Sequence, residues 1–138
     1  AVRHLGGDPI VLSTPRGVAA VQALILPGVG AFGPASAGLR DSGLDAAVTG
    51  FVDSGRPLLG ICLGMQLLAS AGEEGGLFKG LGLGCVAART DYGGEFCSAV
   101  RYRNVHGVQF HPEKSGTVGL RVLRNFLDMA KTVNMTDI

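Results

Sequence analysis

Three short apolar runs, each bounded by glycine or proline, constrain the fold of this chain more than any other feature of its sequence. They cover residues 9–12, 23–26 and 57–61. Runs of this kind are typical of buried parallel strands in an open sheet. Glycine makes up 23 of the 138 residues without a collagen period, so it punctuates short buried elements. Residues 27–30 follow the second run, at the sheet edge where ligands bind in open α/β folds.

Periodic patterns predict the remaining elements. Apolar residues at helical spacing predict helices over residues 34–39, 44–52 and about 117–131. Gly55 is expected to end the second of them. A period of two over residues 95–102 predicts a half-buried antiparallel strand, with residues 105–110 as its hairpin partner. Residues 1–7 are typical of a last helical turn, and residues 72–84 of an irregular loop. We therefore predict a three-layer α/β fold, an open and mostly parallel sheet with flanking helices.

Length and charge favour one domain and disfavour nucleic-acid and membrane binding. A chain of 138 residues fits one domain, and 12 basic against 11 acidic side chains leave a net charge of +1. That balance gives no broad electrostatic footprint for nucleic acid or for an anionic membrane. The longest uncharged stretches are interrupted by proline and glycine, so we expect neither a membrane-spanning helix nor a secretion signal. Three cysteines without disulfide or metal-site spacing favour a reducing cytoplasm, and no metal or cofactor is expected.

The segment Gly-Ile-Cys-Leu-Gly at residues 60–64 has the glycine spacing of a nucleophile elbow. In such an elbow the central residue lies on a sharp turn between a strand and a helix, and close neighbours demand both glycines. The helix that follows would stabilise a thiolate at Cys62, and the Leu63 N–H would face an oxyanion. A small buried core cysteine explains the same residues about equally well.

A second motif, His111-Pro112-Glu113, follows the apolar residues 108–110. A cysteine nucleophile needs a base, and that base needs an orienting partner on its other ring nitrogen. Cys62, His111 and Glu113 can fill these three roles. An ordinary polar turn at a strand end is the alternative for this motif alone, and its occurrence beside an elbow in one small domain favours the catalytic interpretation.

The remaining polar positions carry weaker signals. Residues 27–30, Pro-Gly-Val-Gly, form a simple turn or supply a second N–H to an oxyanion hole. A phosphate-binding role is disfavoured, because both glycine-rich phosphate fingerprints are absent from the sequence. Surface or packing roles are expected for His4, His106, Cys85 and Cys97, and a solvated strand face for Arg101 and Arg103.

Three motifs together are those of a known family: Pro-Gly-Val-Gly-Ala-Phe at 27–32, Gly-Ile-Cys-Leu-Gly-Met-Gln at 60–66 and Gly-Val-Gln-Phe-His-Pro-Glu-Lys-Ser-Gly at 107–116. The chain resembles the triad-type class I glutamine amidotransferases, which have a flavodoxin-like sheet. The first motif, Lys-Ser-Gly at 114–116 and Thr-Asp-Tyr-Gly at 90–93 narrow this resemblance to HisH, the glutaminase subunits of imidazole glycerol phosphate synthase in histidine biosynthesis.

The resemblance implies a role for each motif. Cys62 would be the nucleophile, His111 the general base and acid, and Glu113 its orienting partner. Leu63 and the Gly28–Val29 peptide would form the oxyanion hole. Gln66 would lie beside bound glutamine, whose hydrolysis through a thioester releases ammonia. That ammonia would pass to a (β/α)8-barrel cyclase subunit, HisF, in a heterodimer.

The resemblance also implies a domain organisation, and two other functions remain as alternatives to the glutaminase. It implies one amidotransferase domain over residues 1–138, shortened at the amino terminus and internally near residues 84–85. One alternative is a catalytically inactive remnant or partner-binding module of the same fold. Another is a different triad-type amidotransferase, such as the subunit for anthranilate, guanylate or carbamoyl phosphate synthesis.

Overall fold

A computed structural model of the chain describes residues 1–69, 71–72, 78–83 and 85–133. The strands are β1 (Leu24–Gly28), β2 (Leu58–Cys62), β3 (Ala71–Gly72), β4 (Phe78–Lys79), β5 (Val86–Asp91), β6 (Glu95–Tyr102) and β7 (Val105–Val108). The helices are α1 (Pro15–Ala19), α2 (Phe32–Asp41), α3 (Leu44–Asp53), α4 (Leu63–Leu67) and α5 (Gly116–Thr132), with 3-10 turns at Arg3–Leu5 and Pro112–Lys114. No helix among the described residues is long and apolar enough to cross a membrane.

Five strands form one mixed sheet in the order β1-β2-β7-β6-β5. The first three run parallel, and β6 and β5 are antiparallel to their neighbours. A separate two-stranded pair joins β3 to β4. Because β1, β2 and β7 are parallel, their carboxyl ends meet at one edge of the sheet.

Helices cover both faces of this sheet. One face packs against α1 and α3 through a cluster of buried apolar side chains: Val18, Leu24, Val48, Phe51, Val52, Leu58, Leu68 and Val105. The opposite face packs against α5 through Leu59, Ile61, Val108, Leu123 and Phe126. A third, smaller cluster joins α2 to α4 through Phe32, Leu63 and Leu67. The three-layer α/β fold expected from the sequence is confirmed.

Most predicted elements are present. Strands β1, β2, β6 and β7 and helices α2, α3 and α5 lie within two residues of the expected positions. Gly55 follows the end of α3 with φ +81°, as expected for a glycine that ends a helix. The amino-terminal turn is a 3-10 turn rather than an α-helix, and Gly6 ends it with φ +85°.

The predicted strand at residues 9–12 is wrong. Residues 9–12 form no strand, and the side chains of Ile10 and Val11 are 64% and 100% exposed. Apolar composition favours burial, but a strand also needs a hydrogen-bonding neighbour. Among the described residues, β1 pairs only with β2, and the segment at 9–12 has no ladder partner.

Strand β5 was not predicted, because all six of its residues are exposed and show no apolar alternation. It forms by pairing with β6. The loop expected over residues 72–84 contains β4 and the end of β3. The rest of that loop, residues 73–77 and 84, lies outside the described residues. Residue 84 is one of the two residues that flank the predicted internal shortening.

Candidate active site

Cys62 lies at the turn between β2 and α4, as the last residue of the strand and the cap of the helix. Its backbone angles are φ +55° and ψ −114°, and this positive φ costs a residue with a side chain on the order of 1–2 kcal/mol. Gly60 permits the turn, because a β-carbon there would lie 2.8 Å from both the Met65 nitrogen and Leu68 Cδ1. The sharp, close-packed turn predicted from the sequence is therefore present, and the structure adds the backbone strain at Cys62.

The thiol of Cys62 is half-buried and hydrogen-bonds to a neighbouring carboxamide. Gln109 Nε2 donates to Cys62 Sγ across 3.8 Å. Gln66 Nε2 in turn donates to Gln109 Oε1 at 3.2 Å. Among the described residues, no hydrogen bond joins the Cys62 thiol to the His111 ring.

His111 and Glu113 form an ion-pair geometry just beyond the end of β7. The His111 Nδ1 atom lies 2.9 Å from Glu113 Oε1, and the two side chains are 31% and 35% exposed. The turn is held by Ser115 Oγ and the Lys114 N–H, both of which donate to the His111 carbonyl, at 2.7 and 3.0 Å. With Nδ1 engaged, Nε2 is the ring atom left to exchange a proton with a substrate or a thiol.

The electrostatics of the pair favour a charged carboxylate. Burial alone would raise the pKa of Glu113. Hydrogen bonds from its own backbone N–H and from His111, with the positive charges of His111 and Lys114, outweigh that effect and lower the pKa below its ordinary value. Glu113 is therefore ionised at neutral pH, as a partner that orients an imidazole must be.

Parallel pairing brings the three predicted motifs to one edge of the sheet. Ile61 pairs with Val108, so β2 and β7 end side by side and lead into the elbow and the His111 turn. Gly28, on the other side of β2, pairs with Cys62. A β-carbon at Gly28 would lie 3.1 Å from Leu63 Cβ, so the loop after β1 closely approaches the first residue of α4. Val29 follows it and is 80% exposed.

Sequence reasoning missed Gln109, although a signal for it was available. Gln109 lies two residues before His111, and parallel pairing of Ile61 with Val108 places it beside Cys62. Assigning a polar residue near a strand end to the site requires the register of that strand against its neighbour, and this register comes from the tertiary structure. Gln66, which the sequence did single out, lies on α4 and reaches the same group.

The residues for which surface or packing roles were expected lie outside this site. His4, Cys85, Arg101 and Arg103 are exposed, and Cys97 is half-buried. His106 is half-buried on β7, where burial and the nearby charge of Arg101 lower its pKa. The described residues contain no group of three or more His, Cys, Asp or Glu side chains that could hold a metal ion.

Comparison with known proteins gives consistent results at family level. The model for glutamine amidotransferase class-I matches residues 12–76. The imidazole glycerol phosphate synthase subunit HisH of Methanothermobacter thermautotrophicus is 36% identical, with 95% of this chain and 91% of that protein covered. The HisH subunit of Symbiobacterium thermophilum is 37% identical, with 91% and 84% covered.

Two further likenesses extend this comparison. The chloroplastic imidazole glycerol phosphate synthase hisHF of Arabidopsis thaliana is 34% identical over 92% of this chain, which spans 31% of that protein. The crystal structure of a glutamine amidotransferase superposes with a TM-score of 0.66 at 21% identity, covering 95% of this chain and 90% of that one. This last likeness concerns the fold alone.

Proposed function

The chain belongs to the HisH family, the glutaminase subunits of imidazole glycerol phosphate synthase, and on that premise we propose that Cys62, His111 and Glu113 hydrolyse glutamine. One observation carries the assignment of these residues. A strained cysteine elbow and a His–Glu pair follow the ends of two adjacent parallel strands. A core cysteine needs no strained backbone, and a polar turn unrelated to it need not lie at the same edge of the sheet.

The reaction follows from the chemistry of the three groups. Glutamine binds beside Gln66, and His111 Nε2 takes the proton of the Cys62 thiol. The sulfur attacks the carbonyl carbon of the side-chain amide, and the C–N bond breaks as the imidazolium protonates the nitrogen, which leaves as ammonia. Water then attacks the thioester with His111 again as base, giving glutamate and the free thiol. Glu113 holds the imidazole and stabilises its charged form.

The oxyanion of each tetrahedral intermediate needs donors beside the sulfur. We assign this role to the Leu63 N–H and to the peptide between Gly28 and Val29. The close approach of Gly28 to Leu63 supports the pairing of these two groups. Donors held by a strand end and a helix start need no reorganisation during the reaction, which is the basis of their effect.

The contact between Cys62 and His111 belongs to the substrate complex in this proposal. Catalytic hydrogen bonds are commonly long before substrate binds and tighten in the complex. The half-buried thiol, rather than a sealed one, is compatible with that closure.

We further propose that the ammonia passes to a (β/α)8-barrel cyclase subunit, HisF, for imidazole glycerol phosphate formation. The relatives are named as subunits of a synthase, and the part of the plant relative matched here is less than a third of that protein. The three cysteines are free, which fits the proposed reducing cytoplasm. A single domain, shortened near residues 84–85, remains the proposed organisation.

Glutamate release by the chain co-purified with a cyclase barrel tests this function. We expect the Cys62→Ala variant to lose activity and the Cys85→Ala variant, altered at an exposed cysteine, to keep it. Equal rates for the unmodified chain and Cys62→Ala would show an inactive remnant of the fold. Transfer of ammonia to an anthranilate, guanylate or carbamoyl phosphate acceptor, and not to the cyclase, would instead indicate another amidotransferase.

A further inference from the structure

We propose that Gln109 is a positioning residue of this active site, whose carboxamide links the Cys62 sulfur to the Gln66 side chain. The inference rests on the proposed function of Cys62 as nucleophile. It assigns separate tasks to the two ends of one side chain: the nitrogen holds the sulfur, and the oxygen holds the carboxamide that faces glutamine.

Backbone hydrogen bonds hold Gln109 at the end of β7 independently of its side chain. Its N–H donates to the Ser98 carbonyl at 3.0 Å, which continues the pairing of β7 with β6 by one residue. On the other side, β7 pairs with β2 up to Ile61 and Val108. The side chain of Gln109 therefore starts from a held strand end and reaches the neighbouring elbow.

The nitrogen of this carboxamide favours the reactive form of the thiol. Gln109 Nε2 donates to Cys62 Sγ at 3.8 Å, and an N–H donor stabilises a thiolate more than it stabilises a neutral thiol. The same contact selects the orientation of the Cys62 side chain. Both effects act on the nucleophile without contact between Gln109 and the reacting carbonyl.

The oxygen of the carboxamide orients Gln66. Gln66 Nε2 donates to Gln109 Oε1 at 3.2 Å, and the Gln66 side chain hydrogen-bonds no other described residue. This arrangement engages the nitrogen of the Gln66 carboxamide, so that the Gln66 oxygen is the atom left to accept a hydrogen bond from bound glutamine. The Gln109 oxygen should therefore affect glutamine binding, while its nitrogen should affect thiol reactivity.

Two substitutions separate these tasks. Gln109→Met removes both hydrogen bonds at nearly constant volume, and Gln109→Glu keeps an acceptor for Gln66 but loses the donor to sulfur. The Gln22→Met variant is the matched control, because Gln22 is exposed and outside the site. Two readouts are required, namely the rate of Cys62 alkylation by iodoacetamide, followed by peptide mass spectrometry, and KM for glutamine with the cyclase subunit present.

In the full chain, we expect both Gln109 variants to slow Cys62 alkylation about three- to tenfold, with the rate at Cys85 unchanged. We expect KM to rise about three- to tenfold in Gln109→Met and to stay near its original value in Gln109→Glu. Gln22→Met should change neither. A purely structural role would lower stability in both variants without this difference in KM.

Cys62 alkylation that is unchanged or faster in both Gln109 variants would overturn the proposal, as would equal slowing at Cys85. If Gln109→Met does not fold, Gln109→Glu alone still decides the contact with sulfur. If the unmodified chain shows no glutaminase activity, the proposed function fails separately, and the alkylation rates still decide whether Gln109 positions Cys62.

Discussion

The backbone of Gly64 lies against the carbonyl group of Leu26, so that a β-carbon at position 64 would come within 1.7 Å of the Leu26 oxygen. This contact packs the start of α4 onto β1 and fixes the elbow that presents Cys62. We expect Gly64→Ala to lower the free energy of unfolding by about 3 kcal/mol or more, because backbone must move. Urea denaturation measures the effect.

The control for this substitution is Gly38→Ala. Gly38 lies inside α2, and a β-carbon there would have no atom within 4 Å. Alanine should raise the free energy of unfolding by about 0.5–1 kcal/mol at such a site. Similar losses in the two variants would contradict the close approach of α4 to β1.

Replacing Cys62 separates strain from chemistry. With φ at +55°, Cys62 occupies backbone space that glycine adopts without a steric penalty. Both Cys62→Gly and Cys62→Ala should be inactive, but the glycine variant should be more stable by about 1 kcal/mol. Urea unfolding of the pair tests this, and an alanine variant of equal or greater stability would argue against strain at the elbow.

Neutralising Glu113 tests the orientation of His111. Gln at position 113 keeps an acceptor near Nδ1 but removes the charge that stabilises an imidazolium. We expect Glu113→Gln to lower kcat by roughly 10²–10⁴. Steady-state glutamate release measures it, and Arg124→Gln, at an exposed position on α5, is the control. An unchanged kcat in Glu113→Gln would remove the carboxylate from the mechanism.

The pH dependence of stability should contain a contribution from His106. Burial and the charge of Arg101 lower the pKa of this imidazole from its ordinary 6.5, so the folded chain favours the neutral form. The associated stability is complete above that value and is lost as the pH falls toward the lowered pKa. Protonation therefore opposes folding on the acid side.

Urea unfolding between about pH 5 and pH 7 checks the sign of this effect. His106→Gln should lose less stability than the unmodified chain as the pH falls. Arg101→Gln should give an intermediate loss, because it removes the weaker of the two causes. Parallel curves for the unmodified chain and His106→Gln would show that His106 does not contribute.

A bell-shaped pH dependence of glutamate release is expected if a thiol and an imidazole act together. The profile of kcat/KM for the chain with its cyclase subunit measures this. The Glu113→Gln variant should alter the profile, since it changes the partner of the imidazole. A rate that is flat across neutral pH would count against the Cys62–His111 pair.

The sequence determined the elements whose information is local. The apolar spacing on α5 and the alternation on β6 each indicate which side of a single element is buried. The glycines at 60 and 64 indicate a turn too closely packed to hold a side chain at either position. The motif residues Cys62, His111 and Glu113 could be singled out for the same reason, because their chemistry is carried by residue type.

Tertiary structure decided what depends on neighbours. Residues 9–12 are apolar but lack a strand to pair with, whereas the exposed β5 becomes a strand because β6 supplies its hydrogen bonds. The register of β2 against β7 placed Gln109 beside Cys62. Hydrogen bonds between distant segments depend on which backbones become adjacent, and composition along one segment does not encode its partner.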